Sequence, residues 1–126
     1  MIARLMRSSI IHVAFAFLAM GSWAAFANRA HPMPAPLQAG LLQGAISATI
    51  TLVLKRAIEY LASRFSGLTA LLAPPVIAGL VSASQLTMLH TLSGTPEILK
   101  TIVVPLSVAT SYAALYNYSL WRIRKA

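Results

Sequence analysis

His90 and Glu97 are the two side chains whose types and spacing offer the clearest chemistry in this sequence. They lie in one polar segment between two long apolar runs. An imidazole within hydrogen-bonding reach of a carboxylate can pass a proton to or from a reacting group. The segment therefore allows a proton-transfer site. The alternative is a helix-to-helix turn that contains one acid and one interfacial histidine.

The rest of the sequence offers little that could complete such a site. Glu59 is the only other acidic residue, and the chain has neither aspartate nor cysteine. An Asp-containing triad, an Asp-based metal site and a thiolate nucleophile are therefore excluded. The three histidines are too scattered for a metal-site spacing pattern. We predict that the chain is not an enzyme and has no catalytic, cofactor-binding or metal-binding residues.

The composition indicates that lipid is the solvent for most of the chain. Of its 126 residues, 58% are hydrophobic and 10% are charged, whereas soluble domains contain about 25% charged residues. The mean hydropathy is +0.74. So few charges leave too little polar surface to enclose a water-soluble core. We predict an all-α, small multi-span integral membrane protein whose immediate partner is the lipid bilayer.

The distribution of basic residues predicts the topology. The net charge of +8 would also suit nucleic acid, but the basic residues gather at the ends of apolar runs, where anionic headgroups attract them. With the N-terminus in the cytoplasm, only Arg29 and Lys100 lie outside. The cytoplasmic set is Arg4, Arg7, Lys55, Arg56, Arg64, Arg122, Arg124 and Lys125. We predict a bacterial inner-membrane protein with both termini cytoplasmic and no nucleic-acid partner.

Four apolar runs are long enough to cross about 30 Å of hydrocarbon as helices. They comprise residues 8–27, 37–54, 74–92 and 98–121. Residues 1–27 allow a second interpretation, because a basic start, an apolar centre and the motif Ala25-Phe26-Ala27 are typical of a cleaved signal peptide. We favour a retained transmembrane helix and four spans. Three spans would remain after cleavage.

The connections divide the chain further. Residues 28–36 contain three prolines and predict an extended, polyproline-like external linker. Residues 37–126 then form a three-helix membrane domain with basic cytoplasmic ends, and its first helix should continue to residue 65. Pro74-Pro75 either starts the next helix or kinks one that begins near Ser66. Because proline is costly inside a helix, we expect a short turn or a broken helix before Pro74.

The segment between the last two runs resembles a helix stop followed by a helix start. Ser93-Gly94 should end the third helix, Thr95 should cap the fourth, and Pro96 should occupy its first turn. Glu97 would then lie near the positive end of the helix dipole.

Several residues are candidates for helix contacts. Gly40-x-x-x-Gly44-x-x-x-Ala48 places small residues on one helical face, which allows close approach of another helix. Gln85 should face another helix because an unpaired amide in hydrocarbon is costly, and Gln43 and Asn117 are similar polar contacts. The functional or helix-contact candidates are therefore His90, Glu97, Gln85, Asn117, Gly40 and Gly44.

These observations favour an accessory, assembly or interaction subunit. It would dock through its small-residue helix faces on a larger membrane complex, or on copies of itself as a homo-oligomer. A membrane enzyme centred on His90 and Glu97 ranks last among the possible functions.

An alternative comes from a family resemblance. The size, the four-span plan and the ending Tyr116-Asn117-Tyr118 with Trp121-Arg122 resemble the GtrA-like family of polyprenyl-phosphate-sugar flippases. The resemblance covers the general layout and this short C-terminal stretch. It implies a small oligomeric carrier or flippase for a lipid-linked or amphiphilic substrate, and it assigns no role to any single residue.

Overall fold

The computed structural model describes the backbone of residues 2–125 and the side chains of residues 10–124. The chain forms four helices, α1 (Ile2–Ala27), α2 (Ala35–Arg64), α3 (Gly67–Ser93) and α4 (Ile98–Lys125), and no strand occurs among residues 2–125. Each helix contains a stretch that is long and apolar enough to cross a bilayer. The prediction of an all-α fold with four candidate spans is confirmed.

The helices form a bundle in which α2 and α4 are central. Each of these two contacts all three other helices, whereas α1 and α3 flank the pair and do not touch each other within the described chain. We call the end that holds the α1–α2 and α3–α4 connections the linker end. The end that holds the α2–α3 turn and the last turn of α4 is the terminal end.

Small residues bring α1 and α2 into close contact. A Cβ atom added to Gly21 would lie 2.8 Å from the carbonyl oxygen of Gly40, and one added to Gly40 would lie 3.0 Å from that of Gly21. At Gly44 an added Cβ atom would lie 3.0 Å from the Phe17 ring. Larger side chains would therefore push the two backbones apart. Gly40 and Gly44 therefore lie on the face of α2 that packs against α1.

The α1–α2 connection does not have the predicted extended form. Residues 28–30 and 33–34 form turns, and α2 already begins at Ala35. The backbone N–H of His31 donates to the Asn28 carbonyl at 3.1 Å, and that of Ala35 donates to the Pro32 carbonyl at 3.1 Å. Because α1 and α2 pack side by side, the chain must reverse within a few residues, and a polyproline helix cannot do so.

The α3 helix runs through Pro74 and Pro75. The expected turn or break before Pro74 was therefore wrong, and the alternative of a helix that begins near Ser66 is the observed one. The helix ends as predicted: Gly94 adopts a left-handed conformation with φ 78°. The backbone N–H of Gly94 donates to the Thr91 carbonyl, and that of Thr95 donates to the His90 carbonyl, which is a Schellman ending.

The start of α4 differs from the prediction. The helix begins at Ile98, so Glu97 rather than Thr95 occupies the capping position, and Pro96 lies outside the helix. The first backbone bond of α4 runs from the Thr101 N–H to the Glu97 carbonyl at 2.9 Å. The Thr95 hydroxyl is instead bonded to the His90 ring.

Candidate functional site

His90 is the centre of a buried polar cluster near the linker end. Its side chain is fully buried, as is that of Gln43 from α2. The ring Nδ1 lies 2.7 Å from the Thr95 hydroxyl, and the ring Nε2 lies 2.8 Å from Gln43 Oε1. The Gln43 amide nitrogen donates in turn to the Ser47 hydroxyl at 2.9 Å. This cluster of four residues joins α2, α3 and the α3–α4 turn, and we call it the His90 cluster.

The hydrogen bonds of Gln43 determine which tautomer the neutral His90 ring adopts. Because the Gln43 nitrogen donates to Ser47, its oxygen faces His90 and can only accept. The proton of the neutral ring therefore lies on Nε2, and Nδ1 accepts from the Thr95 hydroxyl. Both ring nitrogens are thus bonded within the protein, so the ring has no free nitrogen to offer a substrate.

Glu97 pairs with a different histidine. Its Oε1 lies 3.3 Å from Nε2 of His31, which belongs to the α1–α2 connection. Both side chains are about one-third exposed, at 35% for His31 and 38% for Glu97. Glu97 is therefore paired with His31 and not with His90, since two linkers that are distant in sequence meet at the linker end.

Asn28 ties the end of α1 to the start of α4. Its side-chain oxygen accepts from the Glu97 backbone N–H at 2.9 Å, and its nitrogen donates to the Thr101 hydroxyl at 2.7 Å. Asn28 thus satisfies one of the first N–H groups of α4, which is the usual task of a capping side chain from the same helix. The indole N–H of Trp23 adds a bond to the Lys100 carbonyl at 2.9 Å.

Asn117 of α4 donates hydrogen bonds to two backbone carbonyls of α3 that lack a donor within their own helix. Proline has no N–H, so Pro74 and Pro75 leave the carbonyls four residues earlier, those of Ala70 and Leu71, without their helical donors. The Asn117 side-chain nitrogen donates to these two carbonyls, at 2.9 Å and 2.8 Å. The Asn117 side chain is 1% exposed, and its bond to the Ala70 carbonyl is buried, so that carbonyl has no access to water. Asn117 thus joins α4 to α3.

Gln85 does not face another helix of the bundle. It is exposed on α3, and its amide has no hydrogen-bond partner among the described residues. Exposed hydroxyls in the spans behave differently: those of Ser84 and Ser107 donate to the carbonyl one turn back in their own helix. The expected contact of Gln85 with another helix is therefore not made within the described chain, because the α3 residues that face the bundle, among them Ser82 and Leu86, lie on another side of the helix.

The terminal end holds a second set of polar contacts. The Tyr116 hydroxyl donates to the Glu59 carboxylate at 2.5 Å. The Trp121 indole donates to the Gly67 carbonyl at 3.0 Å, and the Arg124 guanidinium donates to the Ala62 carbonyl. These bonds join α4 to the end of α2 and the start of α3. They fasten helix ends together and assemble no group of reactive side chains.

An apolar groove of about 600 Å³ opens on the surface between α1 and α2. The side chains that line it include Ile10, Val13, Phe17 and Leu52. With no polar group to orient a reacting molecule, the groove matches a lipid acyl chain better than a polar substrate.

The sequence interpretation missed Asn28 and Thr101 as buried polar contacts. Gln43 had a usable signal, since it is an amide within an uncharged span, and the sequence placed it among the polar helix-contact residues. Asn28 and Thr101 had none, because each is an ordinary residue at a helix terminus and their contact joins positions 73 apart.

Comparisons with protein-family models, with curated proteins and with solved structures gave no match to this chain.

Proposed function

We propose that this chain is a non-catalytic interaction subunit of a membrane-protein assembly, and that its partner covers the exposed Gln85 face of α3. The observation behind this proposal is the free Gln85 amide, which is exposed among apolar side chains and has no partner within the described chain. An amide in hydrocarbon without a hydrogen bond is unfavourable by several kcal/mol on alkane scales. A partner that supplies the bond would remove this cost.

The position of Gln85 along α3 supports burial in lipid. The helix has 27 residues, which corresponds to a length of about 40 Å. If α3 is centred in a hydrocarbon layer of about 30 Å, it extends about 5 Å beyond each side. Gln85 precedes the end of α3 at Ser93 by eight residues, or about 12 Å. It would then lie roughly 7 Å inside the hydrocarbon, below the level that water reaches.

The remaining polar side chains support a structural role in another way. The His90 cluster and the contacts of Asn28 use their hydrogen-bonding groups to join helices to one another. Asn117 uses its nitrogen in the same way. Groups that are committed to such bonds are not available to bind and turn over a substrate.

Purification in a mild detergent tests the proposed function. The unaltered chain is expected to co-purify with a partner in a fixed ratio, and Gln85→Leu is expected to lower the recovery of that partner severalfold. Gln38→Leu is the matched control, because Gln38 is also an exposed amide but lies in the first turn of α2, at the level of the headgroups. Recovery of the unaltered chain as a monomer would contradict the proposal.

We also propose that α1 is retained and that both termini are cytoplasmic in a bacterial inner membrane. The bonds from Asn28 and Trp23 to α4, and the close packing of Gly21 on Gly40, support retention of α1. The excess of basic residues at the terminal end supports the orientation.

Cysteine labelling in intact cells tests the orientation. Single cysteines at Ala35 and Ser93 are expected to react with a membrane-impermeant reagent, whereas Ser63→Cys should react only after the membrane is opened. A tag placed before Met1 should stay on the chain and should also be protected from the outside. Labelling of Ser63→Cys in intact cells would reverse the proposed orientation.

A carrier for a lipid-linked substrate is the second candidate function. The observation that favours it is the oxygen of Asn117, which is buried without a hydrogen-bond partner beside the prolines of α3. Free polar atoms at membrane depth, beside backbone that lacks its helical hydrogen bonds, are typical of the binding sites of transporters. Proteoliposomes that contain this chain alone would transport a polyprenyl-phosphate sugar under this hypothesis, but not if the chain is only an interaction subunit.

A further inference from the structure

We infer that the partner on the Gln85 face is a second copy of this chain, and that two α3 helices pack in parallel with their Gln85 amides hydrogen-bonded to each other. This inference rests on the proposed interaction role and names its partner. It begins from four exposed residues of α3, namely Val81, Gln85, Met88 and Leu92. We call them the α3 seam.

The α3 seam has the spacing of a helix-pairing surface. Its residues follow one another at intervals of four, three and four, which places all of them on one face. This is the alternation with which two helices interdigitate in a coiled coil. Val81, Met88 and Leu92 are each at least half exposed, at 50%, 54% and 77%. Because α3 flanks the bundle, a partner helix can reach them.

Membrane insertion determines how two copies can meet. The distribution of Lys and Arg gives every copy the same orientation, so the α3 helices of two copies must be parallel. The commonest oligomer is a two-fold dimer, and here its axis would stand along the membrane normal. Along a seam close to such an axis, each residue lies opposite the same residue of the other copy. Gln85 therefore meets Gln85.

The chemistry of an amide suits this arrangement. A glutamine side chain has both a donor and an acceptor, so two of them can satisfy each other at the same depth. Neither a lipid tail nor an apolar helix of another protein offers a bond to Gln85. The other three residues of the α3 seam are apolar and can pack against their own copies. A single polar residue in such a seam also fixes the register of the two helices.

Oxidative cross-linking in native membranes tests this inference, because the chain has no cysteine of its own. Val81→Cys and Met88→Cys are expected to give disulfide-linked dimers. Leu80→Cys is the matched control: Leu80 is 65% exposed but lies roughly a third of a turn away around α3, and should give several times less dimer.

A second substitution tests the hydrogen bonds between the two Gln85 side chains. Adding Gln85→Leu to Val81→Cys is expected to reduce dimer formation roughly fivefold, from the loss of the interhelical hydrogen bonds. Adding Gln38→Leu should leave dimer formation unchanged, and Gln85→Asn, which keeps an amide, should restore part of it.

The possible outcomes separate this inference from the proposed function. Equal dimer yields from Leu80→Cys and Val81→Cys would reflect random collision and would overturn the α3 seam as an interface. If Val81→Cys cross-links to a different protein and not to another copy of this chain, the partner is not a second copy. The proposed role as an interaction subunit would still stand. If neither Val81→Cys nor Met88→Cys gives a cross-linked product and the purified chain is a monomer, both the dimer and the proposed interaction role are rejected.

Discussion

Replacing Asn117 by alanine is expected to lower the free energy of unfolding by about 2–4 kcal/mol. Two hydrogen bonds are lost, and the carbonyls of Ala70 and Leu71 remain without donors, the first buried and the second partly buried. A buried group left without its partner costs about 1–3 kcal/mol. The cavity left by the smaller side chain adds to this cost. Denaturant titration of the purified protein in detergent micelles measures the change.

A double-mutant cycle with the prolines identifies the cause. Replacing both Pro74 and Pro75 by alanine returns two backbone N–H groups to α3, and these can donate to the same two carbonyls. In that background Asn117→Ala should cost about 1–2 kcal/mol less than in the unaltered chain, because the carbonyls already have donors. The cavity term is present in both arms of the cycle and cancels.

Ser107→Ala serves as the control for a hydroxyl that bonds only to its own helix, and it should change stability by no more than about 0.5 kcal/mol. An equal cost of Asn117→Ala with and without the prolines would show that Asn117 does not stabilise α3 by donating to the carbonyls of Ala70 and Leu71. Asn117 would then act through packing alone, and the continuity of α3 across Pro74 and Pro75 would need another source.

The prolines illustrate which parts of this fold can be predicted from sequence. The positions of the four spans depend on the local apolar content and length of each run, and these are properties of the sequence alone. The cost of a proline inside a helix is also local, and it favoured a break before Pro74. The compensating donor comes from Asn117, which lies more than 40 residues further along the chain. The sequence of α3 alone therefore does not reveal this donor.

The candidate site divides in the same way. The sequence identified His90 and Glu97 as the polar residues of the α3–α4 connection, and both do have polar partners. Their partners, Gln43 and His31, come from α2 and from the other connection. Which helices are neighbours determined these pairs, and helix order in a bundle depends on packing contacts such as that of Gly21 with Gly40. A single sequence does not contain that order explicitly.

Replacing His90 by leucine is expected to lower the free energy of unfolding by about 2–3 kcal/mol. The substitution leaves Gln43 Oε1 and the Thr95 hydroxyl without their partner inside the bundle, and each buried unpaired group costs about 1–3 kcal/mol. The larger apolar side chain offsets part of this loss. His12→Leu is the matched control, because His12 is exposed on α1, and its effect should stay within about 0.5 kcal/mol. Thermal or denaturant unfolding in micelles compares the two.

The pair of Gln43 and His90 provides the stricter test of a structural role. Gln43→Leu alone should also destabilise the protein, because it leaves the ring N–H of His90 and the Ser47 hydroxyl unpaired. With both residues replaced by leucine, the two unpaired groups facing each other disappear, since apolar replacement of both partners is far milder than loss of one. The double variant should therefore be at least about 1 kcal/mol more stable than the sum of the single effects implies. Strict additivity would mean that the His90–Gln43 bond contributes little. The burial of an imidazole at this depth would then lack a stabilising reason, and a functional role for His90 would again be the better explanation.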